Sequence, residues 1–158
     1  MDRSPAPADG APLTAEEYEA VRHAVPATAG RRAGGEPYTL NSLFKSWRDV
    51  VTAVEEGYAW CAPEFDEEIR CRHALAGAWR LLPPRVRAAR LSELTELDDR
   101  FRAATVPWPG RDEDPHQWWR RRVPRILEAE RGERRVRGWP AGWEMLPFPK
   151  PDAVEIVE

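Results

Sequence analysis

Lysine is nearly missing from this chain. Lys45 and Lys150 are its only two, against twenty-two arginines, and isoleucine occurs three times. Arginine, alanine and proline in their place indicate GC-rich coding, which discounts arginine abundance as a functional signal. Two cysteines, Cys61 and Cys71, are too few for a disulfide framework. No run approaches the ~18 apolar residues of a membrane span. The opening Met-Asp-Arg-Ser-Pro-Ala-Pro has neither the basic n-region nor the apolar h-region of a secretory signal. These absences make a soluble cytoplasmic protein with no membrane partner the expectation.

Catalytic patterns are missing too. No Gly-x-Ser-x-Gly elbow occurs, and Gly30, Gly34 and Gly35 lack the lysine and Ser/Thr of a phosphate loop. A di-iron helical site needs Glu-x-x-His pairs, but Arg70 stands three before His73, and His23 and His116 have no such glutamate. Cys61, Cys71 and His73 lack zinc spacing, and Asp112-Glu113-Asp114-x-His116 lacks the glycine of a calcium loop. Cys71 reads instead as a small apolar residue within a helix, and His73 as its partly exposed flank. No metal and no cofactor are expected. Glu67 and Asp98 could serve as general bases, yet surface acids look the same in a sequence.

What is present is a helical pattern. The 158 residues suit one domain plus tails, and 42% hydrophobic content can supply a core. Sixteen prolines and ten glycines imply much irregular chain. Residues 1–12 read as a disordered tail. Residues 13–36 read as a short helix plus a flexible loop, Ala27 to Glu36. Thr14-x-x-Glu17 has capping-box form, and Leu13 and Tyr18 stand where a hydrophobic staple would.

Residues 37–105 read as a helical core. Leu40, Leu43, Phe44, Trp47, Val50, Val51, Val54 and Tyr58 form one apolar stripe. Phe65, Ile69, Leu75, Ala76, Trp79 and Leu82 form a second, stopped by Pro83-Pro84. Val86, Leu91, Leu94, Leu97 and Phe101 form a third. The fold class expected is therefore mainly α. It is an antiparallel three-helix core over roughly 40–60, 64–82 and 84–104, with short connections favouring antiparallel neighbours. Residues 106–158 form a Trp/Pro/Arg-rich C-terminal extension wrapping the bundle. Within it Val123 to Glu130 could be a helix, or Ile126 to Val136 a hairpin turning at Arg131-Gly132. Ala153 to Val157 is at most one short strand.

Charge divides unevenly over that arrangement. Carboxylates at Glu55, Glu56, Glu64, Asp66, Glu67, Glu68, Glu93, Glu96, Asp98 and Asp99 gather toward one pole. The other pole receives Lys45, Arg48, Arg80, Arg85, Arg87 and Arg90. Arg85, Arg87 and Arg90 then open a helix whose dipole disfavours them. The net charge is −3 overall, but residues 115–139 hold eight arginines against three glutamates, a net of +5. Trp118-Trp119-Arg120-Arg121-Arg122 lies inside that segment. Two roles compete for it. The indoles can cover the open side of the core while Arg120, Arg121, Arg122 and Arg125 pair with helix-one and helix-two acids. Alternatively, the run is an exposed arm.

The function expected is a non-catalytic interaction or regulatory protein, such as an adaptor, inhibitor or immunity-type protein. Aromatic and arginine anchors dominate interface energetics. The partner-binding candidates are Arg48, Arg80, Arg85, Arg87, Arg90, Trp118, Trp119, Arg120, Arg121 and Arg122. The partner expected is another protein, and a homodimer through the apolar face of helix one is open. Nucleic acid is the second reading, through arginines on phosphates and indoles on bases. An enzyme with a cleft between bundle and extension is the third.

Overall fold

A computed structural model describes residues 11–26 and 35–158. The tail over residues 1–10 and most of the Ala27–Glu36 loop lie outside the described residues. The chain is mainly helical, with small sheets in its last third. Among the described residues, no helix is long and apolar enough to cross a membrane.

Helix α1 spans Ala15–Ala24. Its capping box forms as the sequence implies. The Glu17 amide donates to the Thr14 hydroxyl at 3.1 Å, and the Thr14 amide donates to the Glu17 carboxylate at 3.0 Å. The staple does not close, because Tyr18 is 56% exposed while Leu13 packs on the core.

Helix α2, Leu40–Glu56, buries Leu40, Leu43, Phe44, Trp47, Val50, Val51 and Val54 along one face. Thr39 and Ser42 cap its start reciprocally. It stops four residues short of the expected end. Gly57 adopts φ +111°, a conformation closed to most side chains, and turns Tyr58 out of the helix into an extended bridge.

The second expected helix, 64–82, is two helices: α3, Ala62–Glu68, and α4, Arg70–Trp79. The joint is Ile69, whose ψ of −8° tightens the turn. The Arg72 amide then donates to the Ile69 carbonyl, three residues back rather than four, at 3.0 Å. Helix α5, Pro84–Ala103, buries Val86, Leu94, Leu97 and Phe101. Leu91, expected on that face, is 53% exposed. Helix α2 packs on both α4 and α5.

The extension is neither the helix nor the hairpin expected over residues 123–136. Strand β1, Thr105–Pro107, pairs antiparallel with β2, Arg122–Pro124. Strand β3, Ile126–Glu128, pairs in parallel with the distant β4, Glu155–Val157. Tyr58 bridges the other side of β3, its amide donating to the Ile126 carbonyl at 2.9 Å. A partner nearly thirty residues away leaves no local pattern, which is why both local readings fail.

Trp118, Trp119, Trp139 and Trp143 are all buried and continuous with the helical core. Phe101 lies in contact distance of Trp47, Phe65 and Trp118, so helix and extension share one aromatic cluster.

Candidate functional site

The surface around Trp119 is positioned by a buried ion pair that the charge map did not reveal. Arg72 falls on the apolar stripe between Ile69 and Leu75 and is 6% exposed. Burying a guanidinium requires a carboxylate partner, and Asp98 of α5 supplies one. Nε and Nη2 of Arg72 both reach it at 2.9 Å. The Trp47 indole N–H donates to the same carboxylate at 3.1 Å. Asp98 is thereby a cross-link between α2, α4 and α5, not a free base. The guanidinium face that remains lies 4.4 Å from the Trp119 ring centroid.

Trp119 is 2% exposed, and its indole N–H is buried with no acceptor. Three other buried indoles are satisfied. Trp47 donates to Asp98, Trp139 to the Phe148 carbonyl at 2.8 Å, and Trp143 to the Trp60 carbonyl at 3.0 Å. An unsatisfied buried donor costs ~1–3 kcal/mol, so its retention here needs a reason.

Two grooves flank this residue. One, of about 440 Å³, runs along α4 past Trp79, Arg80 and Leu94 to His116, Trp118 and Trp119. No carboxylate lines it among the described residues. Arg72 in its wall is balanced by Asp98, which leaves the exposed Arg80 as its unmatched charge. The second, of about 320 Å³, holds Asp66, Arg70 and Arg120. His73 and Trp119 form the wall common to both. Four sequence candidates meet here: Arg80, Trp118, Trp119 and Arg120. His73 and His116 complete the lining. Sequence reasoning passed over both because neither has ligand spacing; their one signal is proximity to tryptophan in a single fold.

The other candidates lie elsewhere, and Arg48, Arg85, Arg90 and Arg122 are engaged. Arg85 pairs with Glu17 of α1 at 3.3 Å and donates to the Ala11 and Pro12 carbonyls at 3.0 and 3.1 Å. Glu17 thus supplies the charge that the dipole of α5 lacks at its start. Arg90 reaches Glu93 at 3.0 Å and Asn41 at 2.7 Å, and its guanidinium lies 4.0 Å from the Phe44 ring centroid. Arg48 pairs with the same Glu93. Arg87 is half-buried beside them. The basic pole is therefore largely bound up in contacts of the chain with itself.

The arginines after Trp119 do not reach helix-one or helix-two acids as the covering role assumed. Arg120 donates to Gln117 at 2.7 Å, Arg125 to the Ala103 carbonyl at 2.8 Å, and Arg121 is exposed. Arg122 is buried, bonded to Thr105 Oγ1 at 2.7 Å and Glu113 at 2.6 Å. Burial pushes the Arg122 guanidinium below its ordinary value, against the pull of Glu113. The reason for the difference is backbone geometry. Pairing of β2 with β1 directs Arg122 onto the β1 end, where Thr105 and Glu113 are the acceptors.

A groove of about 640 Å³ between α2 and α3–α4 carries Asp49, Glu67 and Glu68. Each carboxylate is partnered, by Lys45 at 2.7 Å, Arg70 at 3.2 Å and the Tyr58 hydroxyl at 2.8 Å. Burial beside Glu68 raises the Tyr58 phenol above its ordinary range. The half-buried Cys71 thiol in the same wall is pushed up to about 12 by desolvation. Such a thiol is inert rather than nucleophilic. Among the described residues no group of three or more His, Cys, Asp or Glu side chains is placed to hold a metal ion. No family model matches the chain, and no curated protein or solved structure matches it either.

Proposed function

We propose that this chain is a non-catalytic interaction protein whose contact surface is the double groove around Trp119. The observation that carries the reading is the convergence of Arg80 and Arg120 on one indole wall with His73, while Arg48, Arg85 and Arg90 are matched internally. Exposed guanidinium groups beside packed aromatics are the residue types that dominate interface energetics. The buried indoles serve here as a rigid wall, and the arginines at its edges supply the contacts.

The finer architecture belongs to the same proposal. An up-down-up arrangement of α2, α3–α4 and α5 is supported by the side-chain pairs. Asn41–Arg90, Arg48–Glu93 and Glu55–Arg100 advance together along α2 and α5. Phe44–Trp79 and Tyr58–Phe65 run the opposite way between α2 and α3–α4. A cytoplasmic setting and a protein partner complete the reading.

Nucleic acid is the weaker occupant. Base stacking requires an open aromatic face, and Trp118 and Trp119 are 7% and 2% exposed.

The test is chemical cross-linking in the native cell with the wild-type chain and with Arg80→Glu/Arg120→Glu. Cross-linked species present with the first and lost with the second support the surface. Species that persist unchanged place the contact elsewhere, and their absence from both samples removes the interaction reading.

A further inference from the structure

Resting on the functional reading above, we infer that the double groove takes a short acidic peptide segment of a partner, laid across the Trp119–His73 wall with carboxylates toward Arg80 and Arg120.

Charge selects this occupant. The larger groove has cationic and aromatic walls and no carboxylate among the described residues, with Arg80 exposed and unmatched. The smaller groove holds one carboxylate, Asp66, against Arg70 and Arg120; the Arg120 Nη1 donates to the neutral Gln117. Arginine presents a planar fork that matches a carboxylate through two parallel bonds. Two such forks on opposite sides of one wall fit acidic side chains spaced along an extended segment. Between them the groove offers apolar surface from Ala76, Trp79 and Leu94, which suits an apolar residue between the acids.

Shape selects against the alternatives. Volumes of about 440 and 320 Å³ on the two sides of the Trp119–His73 wall accommodate successive side chains of a peptide. The Trp118 and Trp119 faces are covered, so neither offers a stacking platform for nucleobases.

The experiment is a fluorescence anisotropy titration on the full chain. The probes are short labelled peptides of alternating Glu and Leu, counterparts with Lys for Glu, and a labelled oligothymidylate, at low and physiological salt. The expected result is binding of the Glu peptides only, weakened about tenfold or more by Arg80→Glu/Arg120→Glu and unchanged by Arg134→Glu, an exposed arginine outside the grooves. Thermal melts check that the double variant folds. If it does not, Arg80→Gln and Arg120→Gln taken singly must each weaken binding.

No Glu-peptide binding at low salt overturns the inference, as does binding indifferent to Arg80 and Arg120. Oligothymidylate binding that depends on those arginines reassigns the groove to nucleic acid and equally overturns it. If cross-linking in cells is lost with the groove variant while Glu peptides do not bind, the surface stands and the ligand class falls. If cross-linking is indifferent to the variant, both fall.

Discussion

Arg72 lies with its guanidinium carbon 4.4 Å from the Trp119 ring centroid while its Nε and Nη2 donate to the Asp98 carboxylate. One side chain thus ties the helical core to the wall of the candidate groove. The two jobs are separable by substitution.

Removing the carboxylate leaves a buried cation unmatched. Asp98→Ala should cost about 3–5 kcal/mol, because Arg72 is 6% exposed and the Trp47 indole loses its acceptor as well. Asp98→Asn keeps an acceptor oxygen and should cost less. Urea unfolding followed by tryptophan fluorescence measures both, and a loss under about 1 kcal/mol for the alanine variant would show that water reaches the pair.

The two adjacent indoles should behave as core residues. Trp118→Ala and Trp119→Ala should each cost about 3–5 kcal/mol, given exposures of 7% and 2%. Arg121→Ala, on the exposed neighbour, should stay within about 0.5 kcal/mol of wild type. Melting temperatures that barely move for either tryptophan would return the segment to the status of an exposed arm.

Glycine at position 142 is required twice over. Its φ is +87°, and an added Cβ would meet the Cys61 Cβ at 2.7 Å. Gly132 has φ +76° but open space around it. Gly132→Ala should therefore show only the backbone cost, about 1–2 kcal/mol. Gly142→Ala should exceed it by at least about 1 kcal/mol from the clash. Equal losses in chemical denaturation would mean that the strand of chain around Cys61 yields freely.

Thiol chemistry offers a further check. Cys71 borders an open groove of about 640 Å³, yet its pKa is raised from 9.0 to about 12. At pH 8 the thiolate fraction is then roughly one part in ten thousand. Iodoacetamide should label Cys71 far more slowly in the folded chain than after unfolding, as mass spectrometry of digests would show. The linked stability has a definite sign. The unfolded chain sheds this proton first, so the contribution is complete below about pH 9 and is lost as pH rises toward about 12. Cys71→Ala should flatten that part of the alkaline limb. Labelling at the unfolded rate, or a limb unchanged by the substitution, contradicts it.

Local pattern carried much of the helical content. The apolar positions of α2 recur at helical spacing, and all seven from Leu40 to Val54 are buried. The Thr14 capping box is a two-residue signal needing nothing else, and it forms. What stayed hidden depends on distant chain. Ile69 breaks a helix through a ψ value that composition does not encode. Strand β3 finds its partners in Tyr58 and in residues 155–157, so neither neighbour is visible from 126–128 alone. Arg72 was legible in part, since it falls on the buried face of its own helix, but hydropathy assigns an arginine to solvent. The groove itself needed three separate segments in one place: α4, the loop before Trp118, and Trp119.

Gly110, with φ +69° and open space where a Cβ would stand, lies in the loop between β1 and β2. The parts on either side of it are joined across a wide seam. Tyr58 bonds to Ile126 and Glu128, Ala62 to Gly142, and Arg125 to Ala104, all through the backbone, and Trp143 reaches the Trp60 carbonyl. A chain opened there should keep its two pieces together as a noncovalent complex that rebuilds the Trp119 wall; pieces that elute separately in size-exclusion chromatography would show that the link is required.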